Sequence, residues 1–270
     1  MFRTVSLAAA IAAMAISAAP ASAQSRRTIS SDEWCRDGSN GRRGRSCEVR
    51  ESTIPGVNPL DIDAGQNGGI RLHGSDRSDV LVRARIEAWA DTDAEARSLA
   101  SGVRVDISGT TVRAEGPSRG DRDQQWSVSF DIQVPRTAMV TLRTVNGGIS
   151  IDDFHGTAKF RASNGGVSLT NVGGDISGQT TNGGVTVNLE GDRWDGAGLD
   201  VETHNGGVRV SVPDNYSAVL DTGTVNGRVS IDFPITVQGR LSDHITTTLG
   251  SGGAKVRAVT TNGGVTIRRR

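Results

Sequence analysis

The chain has 270 residues, with 30 basic and 30 acidic side chains, which is room for one or two domains with a real core. Balanced charge gives no global field to draw in nucleic acid or an anionic membrane, so a polyanion partner would need a local cluster of arginines. Glycine is abundant, at 35 residues, and aromatic residues make up only 4%, as expected of many short strands joined by tight turns.

Arg3, an apolar run from Leu7 to Ala19, and Ala21-Ser22-Ala23 predict a signal peptide over residues 1–23, cleaved before Gln24. The run is well short of the roughly 20 apolar residues that span a bilayer, no cysteine follows the cleavage point for lipid attachment, and no later segment is apolar enough to cross. The mature chain is expected to be soluble and exported, to the periplasm or the cell surface. Residues 24–46 read as a polar N-terminal segment with a loop closed by Cys35 and Cys47. In an oxidising compartment such a pair predicts a structural disulfide, typically worth about 2–4 kcal/mol. The spacing and the lack of a flanking histidine fit neither a Cys-x-x-Cys motif nor a zinc knuckle.

Residues 47–145 read as a strand-rich region with one helix. Leu60 to Ala64 alternates, an Asn67-Gly68-Gly69-Ile70-Arg71-Leu72 phrase follows, and Val82, Ala84, Ile86 and Ala88 share one face of a strand opposite Arg83, Arg85 and Glu87. The helix is expected at about 92–101: Thr92 caps it, Glu95 completes a capping box, Gly102 offers a left-handed stop, and Ala94, Leu99 and Ala100 form its buried side. Strands resume over 103–107, 111–114, 126–134 and 139–145, and the loop 116–125 is charged.

From residue 146 to 270 one phrase governs, Asn-Gly-Gly followed by alternating apolar residues. It recurs at Asn146, Asn164, Asn182, Asn205, Asn226 (as Asn-Gly-Arg) and Asn262. The first two intervals are 18 residues, the next two 23 and 21, and the last 36, which is twice the basic unit. Three and five positions after each asparagine, and six before it, every residue is apolar, from Ile149, Ile151 and Val140 in the first copy to Val265, Ile267 and Val256 in the last. Each unit thus holds about two short strands and two corners, with second glycine turns such as His155-Gly156, Gly173-Gly174, Gly196-Ala197-Gly198 and Gly252-Gly253. A unit this small buries its apolar face only against a neighbour, which predicts a short β-solenoid with asparagines stacked at one corner. Asn-Gly between alternating runs is also the signature of a type I′ hairpin. Parity does not separate the two, and the near-constant period favours stacking. Glycine permits the turn, while asparagine tolerates left-handed geometry and hydrogen-bonds nearby backbone.

The repeated Asn-Gly-Gly-Val/Ile phrase resembles the bacterial exported β-repeat domains of unknown function of the "putative adhesin" type, and Gly252-Gly253-Ala254-Lys255-Val256 to Thr261-Asn262-Gly263-Gly264-Val265-Thr266-Ile267 resembles their C-terminal coil. The resemblance covers roughly residues 47–270. It implies a β-solenoid-like fold and an envelope or surface setting, and it brings no catalytic residues.

Chemistry is sparse. His73, His155, His204 and His244 have no partners at metal-ligand spacing, calcium-binding nonapeptides are missing, and no metal or cofactor is expected. A polysaccharide-cleaving enzyme would need converging carboxylates, for which Asp152, Asp153, Asp175, Asp192, Asp195, Asp200, Glu202 and Asp232 are the candidates; on outward strand positions such groups ordinarily serve solvation. The widened unit after Asn182 carries Asp192, Arg193, Trp194 and Asp195, an interaction loop if exposed, or an edge cover if Trp194 folds back. Arginines cluster at Arg42, Arg43 and Arg45 and at Arg268, Arg269 and Arg270, where an anionic envelope polymer could dock. These readings point to a non-enzymatic envelope structural, adhesive or interaction module, whose partner is an envelope polysaccharide or another envelope protein and not nucleic acid. The alternatives are a carbohydrate-active enzyme and an envelope-stress sensor. A localised function is expected where the rhythm breaks, between Asn182 and Asn205 or between Asn226 and Asn262.

Overall fold

Apolar residues alternating on both sides of an Asn-Gly pair need a second surface to bury against. In the computed structural model that surface is the next copy of the same pattern. The structure describes residues 25–29, 33–36, 43–56, 59–117, 124–231 and 244–270; the expected signal peptide, Arg42, and Asp232 lie outside them. In chain order the strands are β1 (Ser25–Ile29), β2 (Gly44–Pro55), β3 (Leu60–Asp63), β4 (Ile70–Ser75), β5 (Asp79–Ala90), β6 (Arg104–Ser108), β7 (Thr111–Glu115), β8 (Gln125–Pro135), β9 (Met139–Asn146) and β10 (Ile149–Phe154). They continue as β11 (Thr157–Asn164), β12 (Val167–Val172), β13 (Asp175–Asn182), β14 (Val185–Asn188), β15 (Gly198–Asn205), β16 (Val208–Val212), β17 (Ala218–Asn226), β18 (Val229–Ile231), β19 (His244–Leu249), β20 (Lys255–Asn262) and β21 (Val265–Arg269). A 3-10 turn spans Glu33–Cys35 and one helix, α1, spans Asp93–Gly102.

The strands form two sheets, ordered β1-β2-β5-β8-β4-β10-β12-β14-β16-β21-β18 and β19-β17-β20-β15-β13-β11-β9-β3-β7-β6. Successive copies pair parallel and in register, Asn146 with Asn164, Asn164 with Asn182, and Asn182 with Asn205. That register excludes consecutive hairpins and makes this stretch a two-sheeted β-solenoid. The inward positions stack into one core. Of the eighteen apolar positions that the repeat predicts, all are buried except Val229 and Ile231, which are partly buried on the short edge strand β18.

Two features of the stack depart from sequence order. The coil of Asn67 joins it: β3 pairs with β9, β4 with β10, and Asn67 bridges to Asn146. The solenoid therefore begins at Leu60, not at residue 146, and the two ends of this early coil are tied into the N-terminal strands β7 and β8. At the other end the last copy is inserted. β20 lies between β15 and β17, and β21 between β16 and β18. The Asn262 coil thus sits between those of Asn205 and Asn226. The 36-residue interval holds no silent coil among the described residues; instead β19 runs antiparallel to β17 and closes that sheet.

The corner after each asparagine explains why its first glycine is fixed. A Cβ at Gly147, Gly165, Gly183, Gly206, Gly263 or Gly227 would lie 1.9–2.2 Å from the carbonyl oxygen of the matching glycine one coil away. At the second position the corresponding clearances are 3.0–3.6 Å, and here Arg228 is accepted. None of the stacked asparagines has a positive φ. The expectation of left-handed asparagine is corrected: close approach of coils imposes the glycine, with a positive φ added only at Gly263 among these six, and each asparagine bonds its counterpart. Asn146 Nδ2 donates to Asn67 Oδ1 at 3.0 Å, and the ladder runs on through Asn164, Asn182, Asn205, Asn262 and Asn226 at 2.7–2.9 Å. Buried Thr144, Thr180, Thr203, Thr260 and Thr224 donate their hydroxyls to the corner carbonyls of adjacent coils at 2.6–2.8 Å.

Thr92 and Glu95 make the expected capping box on α1. The helix ends differently from expectation: Gly102 is not left-handed, and Val103 caps in an extended conformation. Its buried side is Ala96 and Ala100 with Leu99 half-buried, whereas Ala94 is exposed.

Candidate functional site

The second glycine of each copy leaves the outer edge of the β4-β10-β12-β14 face without side chains, and the next outward residues are small. Gly148, Gly166 and Gly184 are exposed there, beside Ser150, Ser168 and Thr186. Together with Gly69, Arg71 and Ser129 they floor a groove of about 580 Å³, which Trp34 and Arg85 also line. This falls within the roughly 300–1,000 Å³ typical of ligand clefts. The register places Arg71 beside Ser150, Ser150 beside Ser168, and Ser168 beside Thr186, so the floor repeats once per coil, about every 4.8 Å.

Trp34 is held over this face by several independent contacts. Cys35 is joined to Cys47 on β2 with the Cα atoms 5.7 Å apart. Arg45 Nη1 donates to the Cys35 carbonyl at 3.2 Å and Arg85 Nη1 to the Trp34 carbonyl at 3.0 Å. The Arg85 and Arg83 guanidiniums lie 5.0 and 6.0 Å from the indole centroid, within cation–π range. Buried Glu87 in turn holds Arg45 at 2.6 Å and Arg85 at 2.9 Å. Arg71 is exposed, and its side chain makes no hydrogen bond or ion pair among the described residues. Trp34 and Arg71 were not singled out by sequence reasoning. The available signals were Trp34 next to a bridged cysteine, and Arg71 inside the early copy of the phrase.

The sequence candidates are dispersed. Trp194 is 4% exposed, and its Nε1 donates to the Gly174 carbonyl at 3.0 Å, so it covers the edge of the core. The rest of its loop is tied down by Ser217 N–H to the Asp192 carbonyl at 2.7 Å and Gly174 N–H to the Asp195 carbonyl at 2.5 Å. Asp192 and Arg193 are exposed and pair with each other at 3.2 Å; the hydrogen bond to Arg193 holds the Asp192 carboxyl below its usual range. Tyr216, buried nearby, is pushed upward by burial and by the Asp192 charge. Asp200 lies on the opposite sheet, 2.5 Å from Arg257, while Asp152 accepts from Ser150 at 3.1 Å and Asp153 from Asn171 at 2.6 Å. His73 stands 3.9 Å from Asp131 and 3.8 Å from Asp152. Among the described residues no group of three or more His, Cys, Asp or Glu side chains is arranged to hold a metal. Three arginines of the basic clusters are engaged locally: Arg45 by Glu87, Arg269 by Asp214 at 3.3 Å, and Arg270 by Glu190 at 3.1 Å.

One ionic cluster fastens the closed end. Asp221 on β17 meets His244 of β19 at 2.6 Å and Lys255 of β20 at 2.5 Å. Burial raises the Asp221 carboxyl, but the hydrogen bonds and charges of Lys255 and His244 outweigh it and hold the group below its ordinary value.

A family model described as Toastrack DUF4097 matches residues 91–268, more than half of the chain. The chain belongs to the Toastrack DUF4097 family. No curated protein gives a significant match. Among solved structures, this Toastrack chain is similar to a "putative cell adhesion protein" of Clostridium sporogenes ATCC 15579, at 10% identity over 84% of this chain and 100% of that one, with a TM-score of 0.42. It is also similar to a "putative adhesin" of Bacteroides fragilis NCTC 9343, at 12% identity over 82% and 97%, with a TM-score of 0.30. A "putative lipid binding protein" of Parabacteroides distasonis ATCC 8503 matches at 11% identity over 83% and 96%, with a TM-score of 0.33. No helix among the described residues is long and apolar enough to cross a membrane.

Proposed function

We propose that this Toastrack protein is an exported, non-enzymatic interaction module of the cell envelope, periplasmic or at the surface, that holds an envelope polymer or another envelope protein against a rigid face. The observation that carries the reading is the Trp34 groove, an open cleft crossing six strands of a continuously hydrogen-bonded stack, from β5 to β14. Such a face needs little reorganisation on binding, so little of the contact energy is lost to ordering. Export is supported by the leader-like sequence of residues 1–23 and by the Cys35–Cys47 bridge. The carbohydrate-active alternative requires carboxylates facing a common cleft, whereas the residues that line this one carry guanidiniums, hydroxyls and an indole.

The test is co-sedimentation of the purified mature chain with insoluble envelope material, with analysis of the supernatant for released fragments. Retention without soluble products is the expected result. Failure to sediment, or steady release of oligosaccharides, would contradict the reading.

A further inference from the structure

We infer that the Trp34 groove binds a linear acidic glycan, lying along the axis of the stack and across the strands; this rests on the interaction-module reading and names its ligand class. The direction comes from the floor. Ser150, Ser168 and Thr186 occupy equivalent places on successive coils, so a polymer with a repeating polar unit meets the same hydroxyl at each step. The Ser168 and Thr186 hydroxyls have no hydrogen-bond partner among the described residues, and both residues are only half-buried.

A peptide fits this floor poorly. Extended peptides gain affinity by adding to a sheet edge, where backbone groups are unpaired. Here the ligand would lie on a sheet face, whose backbone groups are already bonded from coil to coil, as in Ile149 N–H to the Gly166 carbonyl and Val167 N–H to the Gly184 carbonyl. A glycan needs no backbone ladder: its hydroxyls pair with serine and threonine, and the apolar face of a sugar ring packs on an indole such as Trp34.

Charge selects the acidic class. The chain is neutral as a whole, yet among the described residues the groove lining holds Arg71 and Arg85 and no carboxylate. Arg85 is engaged by Glu87 and the Trp34 carbonyl, which leaves Arg71 as the cation able to turn to a ligand carboxylate or sulfate. Its guanidinium is shaped for a paired, charge-assisted contact.

The experiment is calorimetric titration of the mature, disulfide-intact chain at low salt with a uronic-acid oligomer and with a neutral oligomer of N-acetylglucosamine. The uronate oligomer is expected to bind at least about tenfold more tightly. Arg71→Gln should lose about tenfold in that affinity, the scale of one charged hydrogen bond, with an unchanged melting temperature because Arg71 has no partner to lose. Ser168→Phe, which fills the floor, should abolish binding; if it misfolds, Arg71→Gln alone decides. Absence of uronate binding, equal binding of the neutral oligomer, or wild-type affinity in Arg71→Gln overturns the inference. If the wild type and both variants sediment equally with envelope material, the groove assignment falls and the module reading stands. If the wild type does not sediment, both fall.

Discussion

Gly183 and Gly184 are adjacent, chemically identical and both in the phrase, yet replacing each with alanine should have very different consequences. A Cβ at Gly183 would meet the Gly165 carbonyl oxygen at 2.2 Å and its carbon at 2.5 Å, where real contacts stop near 3.0 Å. Both partners are backbone, so the coils themselves must part. Four hydrogen bonds join them at this corner: Gly165 N–H to the Asn182 carbonyl, Val167 N–H to the Gly184 carbonyl, the Thr180 hydroxyl to the Gly165 carbonyl, and Asn182 to Asn164. Loosening two of them costs about 1–3 kcal/mol, and overpacking adds about 1–3 kcal/mol. The stiffer unfolded chain returns roughly 0.4–1 kcal/mol. The net loss is about 2–4 kcal/mol, or a fall in Tm of roughly 4–16 °C for a chain of this size. At Gly184 the nearest atom is the Gly207 carbonyl oxygen at 3.2 Å, and a shift of a few tenths of an ångström absorbs it. Gly184→Ala should stay within about 1 kcal/mol of wild type, the unfolded-state gain offsetting the contact. Thermal unfolding followed by circular dichroism measures both. Equal shifts in the two variants, or an unchanged Tm for Gly183→Ala, would refute close coil approach as the reason for the glycine.

Three further expectations concern the ladder, the closed end and the bridge. Asn182→Ala breaks two rungs, to Asn164 and from Asn205, whereas Asn226→Ala breaks one. At about 0.5–1.5 kcal/mol per bond, the first should destabilise about twice as much in urea melts, and equal losses would argue against a continuous ladder. Asp221 has a folded pKa below its unfolded one, so its contribution to stability is present above the unfolded pKa and is lost as pH falls through the folded value. The stability gap between wild type and Asp221→Asn should be widest near neutrality and close below about pH 4; a gap that widens on acidification contradicts this. Replacing Cys35 and Cys47 together by serine should cost about 2–4 kcal/mol and make Trp34 fluorescence more accessible to a soluble quencher, while an unchanged quenching profile would show that the arginine contacts alone hold the turn.

Much of the architecture was legible because it rests on periodicity. The apolar residues at fixed offsets from Asn146 to Asn262 belong to the core, and the near-constant period of about 18 residues correctly favoured stacking over hairpins. The capping box of Thr92 and Glu95 was readable because its chemistry is local. What could not be read was order in space. Insertion of the Asn262 coil beside that of Asn205 leaves no trace in spacing, since a parallel ladder accepts any copy with the same alternation. The Asn67 coil was passed over for a related reason: a single phrase separated from its fellows by β5, α1 and β8 shows no period. The role of the glycine was misassigned to turn geometry because its partner is an oxygen one coil away, invisible in a linear reading. The groove depends on the same long-range adjacency. It lies on regular coils, not where the rhythm breaks, and Trp34 reaches it through a bridge between segments that no repeat connects.

The early Asn67 coil lies in register beside that of Asn146, which both begins the stack and places Arg71 on the groove floor. Paired cysteines test it directly. Arg71 and Ser150 are register partners on outward positions, about 4.8 Å apart by strand spacing, inside the 4.4–6.8 Å range that a disulfide spans. Ser168 is one strand further on, about 9.6 Å from Arg71 and out of reach. Mild oxidation followed by peptide mass mapping should show a cross-link in Arg71→Cys/Ser150→Cys and none in Arg71→Cys/Ser168→Cys. A link in the second variant, or its absence in the first, would contradict the stack as described.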